Sequence, residues 1–240
     1  MNTTNTNDTT MTIADMSVSR LGFGAWVIGG AGWRFTWGAT DDGGPSLNAT
    51  PLEEYWQVMA DLKREGKIRA IGLSNHDTAQ LEIAESVAHV DAIQPPFSAI
   101  SRSAAPEIAW ARANGTAVIV YSPMQSGLLT GTFSQERMAS LPEDDWRRGH
   151  PDFTTNLDAN LAVADTLKTV AKRHGVTAAS VAIAWTLAWP GVTGAIVGAR
   201  MPAQVDGWAD ADSLRLTSED LADIAASLIR TGAGEGPVEP

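Results

Sequence analysis

The residues of this chain best suited to chemistry stand where short apolar segments end. Ser74 and Asn75 directly follow the apolar segment 69–73, and Tyr121 ends another such segment. If both segments are parallel strands, their carboxyl ends meet at one edge of the sheet, where α/β proteins place their ligand pockets. Tyr121 is therefore predicted to face a pocket. Ser74 and Asn75 either join that pocket or cap the helix that begins near Asp77.

Other reactive residue types are few or stand in turn sequences. Asp41 and Asp42 are paired carboxylates, as general acid and base catalysis uses, but the Gly-Gly-Pro that follows them favours a turn. His150, in a long loop, is a candidate pocket residue, and so are Trp26 and Trp33, although large aromatic side chains more often pack in a core. Cysteine is absent, which excludes disulfides, a cysteine zinc site and a thiol nucleophile. No metal site is predicted.

Helices and short strands alternate along the chain. Strands are predicted at residues 21–26, 69–73, 91–94, 116–121 and 193–197. Helices are predicted to begin at Pro51, in the first helical position, and near Asp77, and to span 106–114, 157–174, 177–189, 202–211 and 218–230. This alternation is typical of βαβ units, and hence of a doubly wound sheet or a (β/α) barrel. A closed barrel needs eight strands, and five are recognisable.

Composition and charge limit the classes of partner. The 240 residues include 17 Lys and Arg against 28 Asp and Glu, a formal charge of −11. This acidity argues against nucleic acid and anionic membranes, because both bind basic surfaces. With no signal-peptide pattern and no long apolar run, a cytoplasmic protein is expected. We expect one domain over residues 13–230 between loose tails at 1–12 and 231–240.

Four strings in the chain resemble the aldo-keto reductase family. They are LGFGAW at 21–26, GKIRAIGLSN at 66–75, YSPMQSGLLTG at 121–131 and IVGAR at 196–200. The strings occur in order with suitable elements between them, and the resemblance covers about residues 13–230. It implies a (β/α)8 barrel that binds NADPH and reduces aldehydes and ketones.

The resemblance also implies which residues would hold NADP(H). Those that match the carboxamide ligands are Ser74, Asn75 and Gln94, and Tyr121 matches the aromatic residue that stacks on the nicotinamide. The loop around the pyrophosphate corresponds to Ser122, Pro123, Met124, Gln125, Ser126, Gly127 and Leu128. In this loop Gly127 would let backbone N–H groups approach the anion. The adenosine-phosphate end corresponds to Gly198, Ala199, Arg200 and Gln204. Arg200 would pair with the 2′-phosphate and favour NADP over NAD.

No residue matches the family's catalytic tetrad of Asp, Tyr, Lys and His. The sequence has two tyrosines, of which Tyr55 lies on a helix face and Tyr121 takes the stacking position. Two family segments abut near residues 49–51, and about three βα units of some 30 residues each are missing between them. This internal deletion would explain both the strand count and the lost tetrad. The fold is therefore predicted to be an incomplete or rearranged (β/α)8 barrel.

Several functions remain open at this point. One is an NADPH-dependent oxidoreductase for a small carbonyl or alcohol substrate, weak or inactive alone without the tetrad. A second is a cofactor-independent cyclase or isomerase that uses the opened pocket, and a third is a non-catalytic nucleotide-binding or regulatory protein. A deletion product that folds poorly is a fourth. Because five strands leave open edges, a homodimer or a partner chain is expected to cover them.

Overall fold

The computed structural model describes residues 10–24 and 51–240. The strands in these residues are β1 (Thr10–Ile13), β2 (Met16–Ser19), β3 (Leu21–Gly24), β4 (Gly72–Ser74), β5 (Ala92–Gln94), β6 (Ala117–Val120) and β7 (Gly194–Gly198). The helices are α1 (Leu52–Arg64), α2 (Thr78–Val87), α3 (Ala105–Asn114), α4 (Gln135–Ala139), α5 (Leu157–His174), α6 (Ala178–Ala188), α7 (Pro202–Asp206) and α8 (Ser218–Thr231). None of the helices in this part of the chain has the length and apolarity to cross a membrane.

Five parallel strands form one sheet in the order β3-β7-β6-β5-β4, and β1 and β2 form a separate antiparallel hairpin. The first parallel strand thus pairs with the last, as it does where a barrel closes on itself. Over the described ranges the sheet stays open, with β3 and β4 at its edges. The predicted α/β fold with five parallel strands is confirmed, and the structure is an incomplete barrel.

Capping residues define the ends of several helices. Asp77 with Gln80 begins α2, and Thr217 with Asp220 begins α8; each pair forms a full capping box. Both helices begin where the sequence predicts. The first helix differs from expectation. Pro51 is the N-cap of α1 with extended backbone (ψ 144°), so the helix begins one residue later, at Leu52.

The helices cover one face of the sheet. In β4, Leu73 is buried while Gly72 and Ser74 on either side are exposed. The most buried helix is α6, which is apolar on all sides and buries residues 178–187. Trp56 of α1 is also fully buried and donates a hydrogen bond from its indole nitrogen to the Ala88 carbonyl oxygen (2.9 Å). The helix-covered face therefore holds the core.

An ion pair between the buried Asp91 and the half-buried Lys63 lies at the edge of the sheet near β4. The Asp91 carboxylate accepts hydrogen bonds from the Lys63 ammonium (2.6 Å) and from the backbone N–H of Ile71 (2.8 Å). It thereby joins α1 to the residues that lead into β4 and β5. Ser74 lies three residues beyond Ile71, the residue that this carboxylate holds.

Two terminal segments expected to be loose are structured over their described residues. Residues 10–12 belong to the β1–β2 hairpin, whose side chains alternate between exposed and half-buried. At the other end, Ala233 is buried, and the buried Arg102 guanidinium donates hydrogen bonds to the Ala233 (3.2 Å) and Gly236 (3.5 Å) carbonyl oxygens. A charged group buried beside backbone carbonyls gives the C-terminal segment a fixed place.

The predicted helix at 202–211 is also different in the structure. It divides into the short α7 and a 3₁₀ turn at Ala209–Asp212, separated at Gly207. Glycine has a low helix propensity, which is consistent with a break at this point.

Candidate functional site

The carboxyl ends of β4, β5 and β6 bring four of the predicted cofactor-binding residues together. Ser74 Oγ donates a hydrogen bond to the Gln94 carbonyl oxygen (2.9 Å), and Tyr121 Oη donates one to Asn75 Oδ1 (3.0 Å). Ser74 and Asn75 are exposed, while Gln94 and Tyr121 are half-buried. We call these four residues the rim. They come from three separate segments of the sequence, and the parallel strands place them at a single edge.

The backbone at the rim and in the loop after Tyr121 is strained. Asn75, Ser122, Gln125 and Ser126 have φ values of +59°, +57°, +45° and +51°. Residues other than glycine rarely adopt this left-handed backbone conformation. Those that do are often found at ligand sites. The other described non-glycine residue with positive φ is Ala14, in the hairpin turn. Four of these five residues therefore belong to the region that the sequence assigns to cofactor binding.

The side chain of Gln125 ties this loop to its surroundings. Its Oε1 accepts a hydrogen bond from Ser98 Oγ (3.2 Å), and its Nε2 donates one to Asp152 Oδ2 (2.7 Å). The loop is supported from below as well, because Pro123 and Leu128 are buried and Met124 packs against the core. Residues 122–128 thus form a loop of fixed conformation beside the rim.

Gly127 adopts a backbone conformation that favours glycine. Its φ is +100°, which a side chain would strain, although a Cβ placed there meets no atom within 4 Å. Its N–H donates a hydrogen bond to the Met124 carbonyl oxygen (3.1 Å) and so is already engaged within the loop. Gly127 therefore shapes the loop through its backbone, and its own N–H is bonded within the loop.

The predicted adenosine-phosphate end lies after β7. Gly198 ends the strand, Ala199 is buried and Arg200 is exposed. The backbone N–H of Arg200 donates a hydrogen bond to Gln204 Oε1 (2.6 Å), so the two residues form one turn at the start of α7. The charge of Arg200 also affects the Asp145 carboxylate in a neighbouring loop. The Asp145 carboxylate has a lowered pKa, chiefly through hydrogen bonds from Arg147, and the positive charge of Arg200 adds to that effect.

Of the three predicted pocket residues, His150 is within the described residues. Trp26 and Trp33 lie outside the described residues. His150 is half-buried in a short turn, where its Nδ1 accepts a hydrogen bond from the Asp152 N–H (3.2 Å) and its ring packs edge-on against Trp146. This imidazole supports the turn that carries Asp152, the partner of Gln125.

A second polar contact at the same edge involves two residues that the sequence did not connect. Tyr55 Oη lies 2.8 Å from His76 Nε2, and His76 Nδ1 lies 2.9 Å from the Ser74 carbonyl oxygen. Tyr55 stands in the first turn of α1. In βα units the helices run opposite to the strands, so a first helical turn lies at the carboxyl edge of the sheet. That rule was the available signal for placing Tyr55 near the rim.

The two tyrosines share one electrostatic property. Burial raises the pKa of Tyr121, against which the hydrogen bond to Asn75 acts. Burial also raises the pKa of Tyr55, and the negative charge of Glu53 adds to the shift. Both phenols are therefore protonated at neutral pH and act as hydrogen-bond donors.

Two other features bear on what the site binds. In residues 10–24 and 51–240 no group of three or more His, Asp or Glu side chains is placed to hold a metal ion. An apolar cavity of about 360 Å³ lies between the hairpin and the sheet, and its lining includes Met11, Ile119 and Ile196. It shares Gln94 with the rim but none of the other rim residues.

Comparison with known proteins gives one consistent family. The model of the Aldo/keto reductase family matches residues 45–229. The aldo-keto reductase YhdN of Bacillus subtilis is 34% identical over 184 residues, which are 75% of this chain and 55% of that protein. The NADH-specific methylglyoxal reductase of Escherichia coli is 29% identical over 184 residues, 75% of this chain and 53% of that protein.

A solved structure agrees with these sequence matches. The structure of a glycerol dehydrogenase from Gluconobacter oxydans superposes with a TM-score of 0.71 at 32% identity, and the match covers 80% of this chain and 57% of that one. The chain spans about half the length of the curated relatives it matches.

Proposed function

Because the chain belongs to the aldo/keto reductase family, an oxidoreductase family, we propose that it binds a nicotinamide dinucleotide at the rim and acts on a small carbonyl or alcohol. The observation that carries this proposal is the meeting of Ser74, Asn75 and Tyr121 at one strand edge, where Tyr121 donates a hydrogen bond to Asn75 and Ser74 donates one to the Gln94 carbonyl oxygen. The strained backbone that surrounds them supports a binding role, because such strain persists where a ligand site requires it.

The chemistry of the residues fits the proposed cofactor. The hydroxyl of Ser74 and the amide of Asn75 suit a carboxamide, which both donates and accepts hydrogen bonds. The ring of Tyr121 suits stacking on a flat heterocycle. The guanidinium of Arg200 suits a phosphate. A bound nicotinamide dinucleotide would supply hydride to a carbonyl carbon, or take it from an alcohol carbon.

We propose NADP(H) rather than NAD(H) as the preferred cofactor, on the strength of Arg200. The name of the Escherichia coli relative describes it as NADH-specific, so a choice between the two must be tested for each chain. An exposed Arg at the start of α7 provides a cation that a 2′-phosphate binds and a 2′-hydroxyl does not need.

We further propose that turnover by this chain is slow. The sequence contains no match to the tetrad, and an enzyme without a placed general acid loses about 10²–10⁴-fold in rate. The internal deletion near residues 49–51 remains the proposed cause.

An equilibrium titration tests cofactor binding. The purified chain is titrated with NADPH and followed by tryptophan fluorescence, which nine tryptophans make sensitive. We expect saturable binding in the micromolar range. Asn75→Ala should raise the dissociation constant about tenfold, as the loss of one or two hydrogen bonds implies. Asn114→Ala, in the last turn of α3, is the matched control and should bind as the parent does.

The opposite result has a clear meaning. No binding up to millimolar NADPH, in a protein that melts cooperatively, would contradict the proposed function. It would favour a catalyst that needs no cofactor.

Assembly is part of the proposal. The edges of the described sheet, β3 and β4, are open, and Gly72 and Ser74 are exposed on its uncovered face. We propose that a second copy of the chain covers this region, since unpaired edges promote association. Sedimentation equilibrium should report a dimer, and a monomer at all concentrations would contradict this part.

A further inference from the structure

Apolar side chains line the cavity of about 360 Å³ between the hairpin and the sheet. They include Met11, Ile13 and Val18 on the hairpin and Leu21, Ile119 and Ile196 on the sheet. All six are half-buried. By contrast, Val118 and Val120, which flank Ile119 and lie on the helix-covered face, are fully buried. The inner face of β6 and β7 therefore has apolar surface that a ligand can remove from water.

A closed barrel has no such space. Its interior is filled by layers of side chains from all eight strands. The described sheet has five strands and stays open, so its inner face packs against the hairpin alone over part of its length. The cavity thus lies where a complete barrel has its packed interior.

The cavity extends from the amino end of the sheet to the rim. Met11 in the hairpin packs against Gly194, the first residue of β7, and the Asp15 carboxylate accepts a hydrogen bond from Arg69, three residues before β4 (2.9 Å). Gln94, which ends β5 and belongs to the rim, also lines the cavity. A molecule bound along the inner face can therefore reach from the hairpin to the carboxyl edge.

The hairpin wall of the cavity is held in place. Arg20, directly after β2, donates hydrogen bonds to the Leu187 (3.1 Å) and Thr193 (3.3 Å) carbonyl oxygens. A Cβ at Gly194 would lie 2.7 Å from the sulfur of Met11 and 2.8 Å from the Arg20 carbonyl oxygen, so the two segments are in close contact there. The space beside these contacts is a defined cavity with two fixed walls.

The size and chemistry of the cavity indicate a class of ligand. An apolar cavity of about 150 Å³ is large enough for benzene, so this one has room for an aliphatic chain of about eight carbons. The side-chain amide of Gln94 bonds to no other described residue and is available to a polar group at the rim. Arg20, the charged residue of the lining, is engaged by backbone carbonyl groups. An uncharged molecule with one polar end fits this combination.

We propose that the cavity binds an unbranched aliphatic chain of about eight carbons, with the polar end of the ligand at Gln94. The substrate of the proposed reaction is then a medium-chain primary alcohol or its aldehyde, with the oxygen-bearing carbon at the rim. This second statement rests on the proposed function. In that reaction the alcohol carbon gives a hydride to the oxidised dinucleotide, and the hydroxyl proton passes to water.

A titration of the cofactor-free chain tests the cavity. In calorimetry with 1-butanol, 1-hexanol and 1-octanol, the dissociation constant should fall about fourfold for each added methylene group. Val18→Phe places a ring in the cavity and should raise the dissociation constant for 1-octanol about tenfold, because the ring takes the space of two or more methylene groups. Ser17→Phe is the matched control. Ser17 is the preceding residue of β2 and is exposed, so this variant should bind as the parent does.

A second variant fills the cavity from the opposite wall. Ile196→Phe should weaken 1-octanol as Val18→Phe does, and it decides the test if the hairpin variant does not fold. In NMR spectra of methyl-labelled isoleucine, 1-octanol should move the Ile119 and Ile196 resonances. The resonances of Ile108 and Ile224, which are fully buried in helices, should stay in place. Unchanged Ile119 and Ile196 resonances would overturn the proposed site.

Turnover connects the cavity with the proposed reaction. With NADP, kcat/KM for primary alcohols should rise with chain length in the parent and in Ser17→Phe. In Val18→Phe the rise should stop at a shorter chain, while the dissociation constant for NADPH stays within twofold of the parent. A rise of kcat/KM that is the same in all three proteins would overturn the assignment of the chain to the cavity.

The results separate this inference from the proposed function. NADPH binding together with 1-octanol affinity no higher than that of 1-butanol would overturn the inference alone, and so would 1-octanol affinity unchanged in both phenylalanine variants of the cavity. Binding of 1-octanol in the cavity without NADPH binding would contradict the proposed function, and the assignment of a substrate would fall with it.

Discussion

Two histidine clusters in this molecule look alike in composition and differ in what surrounds them. At the junction of α5 and α8, the Asp220 carboxylate accepts hydrogen bonds from Arg173 (2.9 Å), from His174 (2.7 Å) and from the backbone and hydroxyl of Thr217. Asp220 is 1% exposed. Both of its oxygens are occupied, so the cluster has little capacity for an outside ligand.

The cluster at the rim has the opposite character. Ser74 and Asn75 are exposed, Tyr55 and His76 are partly so, and Asn75 has a left-handed backbone. A saturated buried network stabilises a fold, whereas an open polar cluster on strained backbone is arranged to bind. The difference teaches that two histidines with similar hydrogen-bond partners differ in how much room their surroundings leave for a ligand.

The largest expected effect falls on the buried cluster. Asp220→Ala removes the acceptor of four hydrogen bonds and half of the capping box of α8, and we expect it to lower the free energy of unfolding by about 3 kcal/mol. Urea unfolding measures this. Asp223→Ala, which removes the exposed partner of Arg173, is the control and should cost under about 1 kcal/mol. Equal effects of the two substitutions would show that the buried Asp220 cluster stabilises the fold no more than an exposed ion pair does.

Acid should act on the same cluster. Burial alone would raise the pKa of Asp220, but the hydrogen bonds from His174, Thr217 and Arg173 outweigh it and hold the pKa well below its ordinary value. A carboxyl whose pKa is lower in the folded state stabilises the fold above its unfolded value of about 3.9, and this contribution is lost as pH falls below that value. Urea unfolding at pH 7, 5, 4 and 3 should show the loss below about pH 4. Asp220→Asn should reduce this acid dependence, and an unchanged dependence would assign it to other carboxyls.

The next expected effect concerns cofactor binding at the predicted adenosine-phosphate end of the site. Arg200→Ala should weaken NADPH more than NADH, by about 1.5–3 kcal/mol for the loss of a charge-assisted contact. Titrations with both cofactors measure the difference. Arg64→Ala, an exposed arginine in the last turn of α1, is the control. An equal loss for both cofactors, or none, would remove Arg200 from the site.

The smallest expected effect concerns the loop beside the rim. Gly127→Ala places a side chain at φ +100°, which should cost about 1–2 kcal/mol even though the space is empty. Gly149→Ala is a matched control, because its Cβ also meets no atom and its φ is not in the positive region. Thermal unfolding of the two variants isolates the backbone contribution. If both variants unfold at the same temperature, the strain at Gly127 is not significant.

The sequence predicts the parallel sheet and most helices because their signals are local. All five parallel strands fall within three residues of their predicted ends, and the capping boxes at Asp77 and Thr217 are where the residue spacing places them. The hairpin was not predicted because threonine and asparagine dominate the composition of residues 1–12. Its alternation of exposed and half-buried residues is short and depends on pairing with β2.

The less predictable features depend on contacts between distant segments. Tyr55 and His76 are 21 residues apart, and their bond exists because the start of α1 and the end of β4 meet at one edge. The place of the C-terminal segment likewise depends on Arg102, more than 130 residues before it. By contrast, Ser74, Asn75 and Tyr121 each stand at a strand end, and that position alone predicts the edge they share.

The pairing of β3 with β7 has a consequence for biosynthesis. Leu21 lies beside Ala195, so the partner of β3 leaves the ribosome some 170 residues after it. At translation rates of about 5–20 residues per second, β3 waits roughly 9–35 seconds for its neighbour. During that interval β3 lacks the partner that it has in the described sheet, and β6 also lacks β7 on one side. Of the described strands, the last to be made thus joins β3 to the other three strands of the sheet, and we expect the edges of β3 and β6 to stay open until then.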